Sequence, residues 1–110
     1  MGYLLSFMRS MQVSAKKNQL ALEQVLIQNQ QERITTKLGM LQQFAANIPK
    51  DDEGSKQMLE FQKQMLTMMS NNLEARLKVI QTQIQAAAAE EAKLNEVLPN
   101  QIQAATPQYR

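Results

Sequence analysis

The sequence predicts an all-α fold, in which two long helices joined by a short turn form an antiparallel hairpin with coiled-coil packing. Three observations support it. Glutamine, alanine, leucine, methionine and lysine, all good helix formers, are abundant. The chain has only three prolines and three glycines, and apolar residues recur every seven positions along two long stretches. A chain of 110 residues has room for one domain, which we place at residues 1–98. The same pattern also fits two extended helices that pair only between chains.

The first helix is predicted at about residues 3–47. This stretch contains no proline, and its only glycine is Gly39. A glycine inside a helix costs about 1 kcal/mol relative to alanine. Gly39 therefore marks a close crossing, a kink or a tolerated defect.

The turn is predicted at about residues 48–54, within the sequence IPKDDEGS, and the second helix at about 55–97. Either Asp51 or Asp52 can cap the free N–H groups at the start of this helix, and Ser55 is an alternative cap. Pro99 and Pro107 are expected to end the regular structure. Residues 99–110 are therefore predicted to form an irregular tail.

A seven-residue apolar repeat runs along both helices, and its residues are predicted to face one another across the hairpin. Such a repeat favours left-handed supercoiling and closes two facing helices along a seam. The predicted seam residues are Val13, Leu20, Ile27, Ile34, Leu41, Leu66, Leu73, Leu77, Ile80, Ile84 and Leu94.

Further apolar residues lie outside this seam, at helical spacing along the start of each helix. A two-helix hairpin buries one face of each helix, and at this size a single core is marginal. Exposed apolar patches mark interaction sites, so we expect oligomerisation to complete the fold. The predicted intersubunit contacts are Tyr3, Leu4, Phe7, Met8, Met11, Met58, Phe61, Met65, Met68 and Met69.

Composition argues against several classes of function. The sequence has no cysteine and no histidine, which removes the thiolate, the imidazole and the usual zinc ligands. We expect no catalytic residues, no metal site, no cofactor and no enzyme activity. The net charge is only +2 and the basic residues are scattered, so a nucleic-acid partner is not expected. No apolar run approaches the length of a membrane-spanning helix.

The chain begins MGYLLSFMRSMQ, which does not resemble a cleavable signal because no basic residue precedes the apolar ones. Gly2 and Ser6 match the loose myristoylation pattern, and whether Gly2 is acylated stays open. The lack of cysteine would suit assembly outside the cell and is equally common in small cytosolic proteins, so both an extracellular and a cytoplasmic location stay open.

The chain resembles the small helical-hairpin subunits of bacterial axial assemblies, such as the needle and inner-rod proteins of type III secretion systems and the core helices of flagellin-like proteins. The resemblance is architectural and covers residues 2–98. It lies in the N-terminal GYLLSFMRSM, the polar helix KKNQLALEQVLIQNQQERI, the breaker turn IPKDDEG and the second long helix. The turn differs from the proline-rich turn typical of needle subunits. The resemblance implies export without a cleaved signal followed by helical polymerisation.

The leading hypothesis is a structural subunit that self-assembles into a filament, tube, ring or bundle. One alternative is a soluble coiled-coil adaptor, scaffold or chaperone that binds another helical protein through its methionines. Another is a peripheral membrane protein that docks its amphipathic N-terminal helix on lipid. The low number of basic residues in that helix, with Arg9 alone before Lys16, makes membrane contact the less favoured alternative.

Overall fold

The protein is an all-α antiparallel hairpin of two long helices. The computed structural model describes the backbone of residues 2–105 and the side chains of residues 2–100. Helix α1 spans Gly2–Asn47 and helix α2 spans Glu53–Ala105. The described residues contain no β-strand. The bounds of α1 match the predicted 3–47 to within one residue.

The connection at residues 48–52 is closed by backbone hydrogen bonds and by one side-chain cap. The N–H of Asp52 donates to the carbonyl oxygen of Pro49 at 3.1 Å, and the N–H of Lys56 donates to the carbonyl oxygen of Asp52 at 3.2 Å. The Asp52 carboxylate accepts the N–H of Ser55 at 3.1 Å, which satisfies one of the free donors at a helix start. Of the three candidate caps, Asp52 therefore caps α2.

Helix α2 ends later than the sequence predicted. It continues through Pro99 to Ala105, whereas we expected it to end near residue 97 and an irregular tail to begin at residue 99. A proline removes only one N–H from a helix and crowds the carbonyl four residues earlier. Residues 100–105 contain no further proline or glycine, so the helix continues after this local defect. Residues 106–110 of the predicted tail lie outside the described residues.

The hairpin divides into two compact units. The first combines Met1–Gln24 with Val79–Arg110 and the second is Val25–Lys78. In the first unit the buried residues are Val13, Leu20, Ile80 and Ala87, with Leu20 only 2% exposed.

In the second unit, Ile27 and Ile34 are buried, at 4% and 5% exposure. The remaining seam residues Leu41, Leu66, Leu73 and Leu77 are half-buried. In the first unit, Ile84 and Leu94 are also half-buried. Every residue predicted for the seam is thus buried or half-buried.

Candidate interaction surfaces

Two apolar surfaces stand out among the described residues, one on each unit. The surface on the first unit, here called the N-terminal surface, is built from the first three turns of α1. Apolar side chains occupy most positions of these turns and all of them are exposed. It comprises Tyr3, Leu4, Leu5, Phe7, Met8 and Met11.

Polar contacts within the first unit fix this part of α1 on α2. Arg9 Nε donates to Glu90 Oε1 at 2.6 Å. The Ser14 hydroxyl donates to one oxygen of Glu91 at 3.0 Å, and Lys17 Nζ lies 3.4 Å from the other. These groups are partly exposed, so their main effect is to fix the alignment of the two helices rather than to contribute large stabilisation. The sequence analysis did not identify these pairs.

The surface on the second unit is a groove between α1 and α2. A cavity of about 350 Å³ is lined on one side by Met40, Leu41 and Phe44 and on the other by Phe61, Met65 and Leu66. The two leucines are half-buried seam residues. By contrast, Phe44 and Phe61 are 59% and 61% exposed. The two aromatic side chains are thus available to a partner.

A second cavity of about 490 Å³ continues this one toward the turn. The two cavities share Leu41, Phe44 and Gln62, and the second also reaches Met58 and Asp52. The two cavities together form the groove. Helix-lined apolar grooves of this kind are a common docking surface for other helices.

Charged side chains lie at both ends of the groove. Lys37 lines the cavity at the end away from the turn, and Arg33 lines a neighbouring depression of about 380 Å³ together with Lys37. At the other end, Asp52 lines the cavity near the turn. Hydrogen bonds from the hydroxyl and the backbone N–H of Ser55 lower the pKa of Asp52 below its ordinary value of 3.8, so this carboxylate is ionised at neutral pH.

The structure exposes every residue that the sequence predicted as an intersubunit contact. Five of them belong to the N-terminal surface, and Met58, Phe61 and Met65 line the groove. Met69 lines the neighbouring depression, and Met68 lies outside these cavities. Their role as intersubunit contacts stays a prediction.

The α1 side of the groove was not predicted from the sequence. Met40 and Phe44 are four residues apart and share a helix face with Lys37. The signal was present as an exposed methionine–phenylalanine pair at helical spacing. The seven-residue repeat does not include this pair, because neither Met40 nor Phe44 belongs to the seam series that contains Leu41.

Residues 86–89 of α2 are four consecutive alanines. Ala87 is 8% exposed and packs within the chain's own first unit, whereas Ala86 and Ala89 are exposed. The small side chain at Ala87 therefore contributes to the hairpin itself.

None of the helices described is both long and apolar enough to cross a membrane. Residues 2–105 also contain no group of three or more acidic, histidine or cysteine side chains placed to hold a metal ion. Comparison with protein-family models, with curated proteins and with solved structures found no match to this chain.

Proposed function

We propose that this chain is a structural subunit that assembles with copies of itself through helix–helix packing and has no catalytic role. The observation that supports it is the exposure of large apolar side chains on both units, including Phe7 at 52% and Phe61 at 61%. A monomeric protein rarely leaves contiguous apolar patches of more than a few hundred Å² in water. The N-terminal surface and the groove each bring several large, exposed apolar side chains together.

The free energy available from these surfaces is of the right order for association. Fully burying a leucine, methionine or phenylalanine side chain contributes about 1.5–3 kcal/mol. Met40, Phe44, Phe61 and Met65 are about half exposed, so covering them contributes about 3–6 kcal/mol from each copy. Association itself costs about 4–15 kcal/mol. The free energy from covering one groove is therefore close to the lower end of the association cost. When two grooves cover each other, or when the N-terminal surface is covered as well, the free energy gained exceeds that lower end.

The experiment measures the mass of the untagged chain by light scattering over a concentration series, with the same samples imaged by negative-stain electron microscopy. The proposal expects mass to rise with concentration and regular filaments, tubes, rings or bundles to form. A monomer at every concentration would contradict it.

A second candidate function is an adaptor that holds a helix of another protein. The methionines of the groove favour it, because flexible methionine side chains adapt to different partners. A mass that stays fixed as concentration rises, with a groove that no second copy covers, would support this function over open assembly.

A further inference from the structure

The groove is self-complementary in charge. Its apolar middle lies between a cation, Lys37, and a carboxylate, Asp52. The flanking segments extend this difference: residues 32–37 contain two basic and one acidic residue, and residues 50–56 contain two basic and three acidic residues. The net charge is therefore +1 at one end and −1 at the other.

We propose that the occupant of the groove is the same groove of a second copy, related by a two-fold axis perpendicular to the helices. This arrangement rests on the proposed function and specifies how the first contact between subunits forms. Such an axis exchanges the two ends of the groove, so Lys37 meets the partner's Asp52 and Asp52 meets the partner's Lys37. The four helices then pack as an antiparallel bundle around the apolar middle.

The spacing of residues along the two helices places the axis near Phe44 and Phe61, which line the same cavity. On α1, Phe44 lies seven residues after Lys37, and on α2, Phe61 lies nine residues after the cap Asp52. These spacings correspond to about 10 Å and about 14 Å of helix, so the two charges lie at similar separations from the aromatic residues. The two aromatic rings of each copy, from Phe44 and Phe61, lie closest to the axis and stack against those of the partner.

Other occupants satisfy the groove less well. An acidic helix would complement Lys37 but would repel Asp52, and a basic helix would do the reverse. A copy docked in parallel would bring like charges together at both ends, which is unfavourable.

The Asp52 carboxylate can still accept hydrogen bonds from a partner. Each of its oxygens accepts one hydrogen bond from Ser55, and each has a further lone pair that can accept a hydrogen bond from the partner's Lys37.

Disulfide cross-linking tests this geometry directly, because the sequence has no cysteine of its own. The two-fold axis brings Lys37 close to the turn end of the partner's groove, where Met58 lies. We therefore expect an equimolar mixture of Lys37→Cys and Met58→Cys chains to form mixed disulfide dimers at least about tenfold faster than either chain alone. Non-reducing gels and mass spectrometry measure the yield.

Glu60→Cys provides the matched control. Glu60 is exposed and close to Met58 in sequence, but it lines neither cavity of the groove. A mixture of Lys37→Cys and Glu60→Cys should give no such enrichment. Circular dichroism of each variant establishes that its helical content matches that of the unmodified chain.

A charge variant tests the contact at the ends. The symmetric dimer contains two contacts between residue 37 of one copy and Asp52 of the other. Lys37→Glu makes both contacts repulsive, so it should raise the dimer dissociation constant about tenfold. Lys37→Arg keeps the charge and should leave the constant within about twofold. An unchanged constant for Lys37→Glu would overturn the proposed pairing of charges.

The outcomes separate this inference from the proposed function. Self-association by light scattering without mixed cross-links, or with Lys37→Cys cross-linking mainly to itself, would overturn the two-fold arrangement and leave self-assembly standing. A monomer at every concentration would overturn both. Mixed cross-links together with the effect of Lys37→Glu would support the antiparallel two-fold pairing.

Discussion

The carboxylate of Asp52 has two effects that share the same atoms. It accepts both the N–H and the hydroxyl of Ser55, which starts α2 at the next residue, Glu53. It also supplies the negative end of the groove. The helix cap holds the carboxylate in place and lowers its pKa, so it stays charged under all but strongly acidic conditions.

The variant Asp52→Asn distinguishes the effect of the helix cap on stability from the effect of the negative charge. Asparagine caps helices about as well as aspartate, so at pH 7 and at a concentration low enough to keep the chain monomeric its stability should change little. Asp52→Ala should lower it. The pKa of Asp52 is lower in the folded than in the unfolded chain, so its contribution is fully present above about 3.8 and is lost as pH falls through the lowered pKa. Urea unfolding between pH 5 and pH 2 should therefore show a steeper loss of stability for the unmodified chain than for Asp52→Asn. Parallel curves would contradict a cap that depends on charge.

Gly39 gives a second prediction at a single residue. A Cβ at this position meets no atom within 4 Å, so the chain's own packing gives no reason for a glycine in the middle of α1. Gly39→Ala should raise the free energy of unfolding by about 0.5–1 kcal/mol, because alanine is the better helix former. Thermal unfolding at low protein concentration measures this change. A destabilised variant would contradict the open space that surrounds Gly39 in the structure.

At the scale of the helices, the sequence predicted the hairpin well because the determinants are local and periodic. The seven-residue series through Leu20 and Ile34 lies on buried or half-buried positions, and the breaker cluster near Pro49 marks the turn. The end of α2 was mispredicted because a single Pro99 was treated as a stop. Only the α2 side of the groove was predicted. Phe44 of α1 and Phe61 of α2 line the same cavity, and this depends on how the two helices are aligned, which the pattern of either helix alone does not give.

The contribution of the seam to the free energy of unfolding can be measured at Ile34. Ile34 is 5% exposed in the second unit, and removing its side chain leaves a cavity between the helices. Ile34→Ala should lower the free energy of unfolding by about 2–4 kcal/mol. Val25→Ala, at a position 51% exposed in the same unit, is the matched control and should change it by less than about 0.5 kcal/mol. Urea unfolding followed by circular dichroism compares the two, and equal effects would contradict a core centred on the seam.

At the scale of the whole molecule, the number of interacting surfaces decides whether assembly stops or continues. A two-fold contact through the groove uses the same patch on both copies and closes at a dimer. Growth beyond a dimer then requires a different surface. Among the described residues outside the groove, Leu22, Val25 and Leu26 are also exposed, but the N-terminal surface has more large apolar side chains and includes two aromatic ones. We therefore expect the N-terminal surface to join dimers to one another.

Replacing both Phe7 and Met8 with aspartate should therefore stop growth at the dimer without unfolding the chain. Both side chains are about half exposed, so the hairpin core is not disturbed. The matched control replaces Gln12 and Gln19 with aspartate, which adds the same charge at exposed polar positions of α1. Light scattering should give a concentration-independent dimer for the first variant and larger assemblies for the control. If the Phe7 and Met8 variant still grew with concentration, another surface would have to join the dimers.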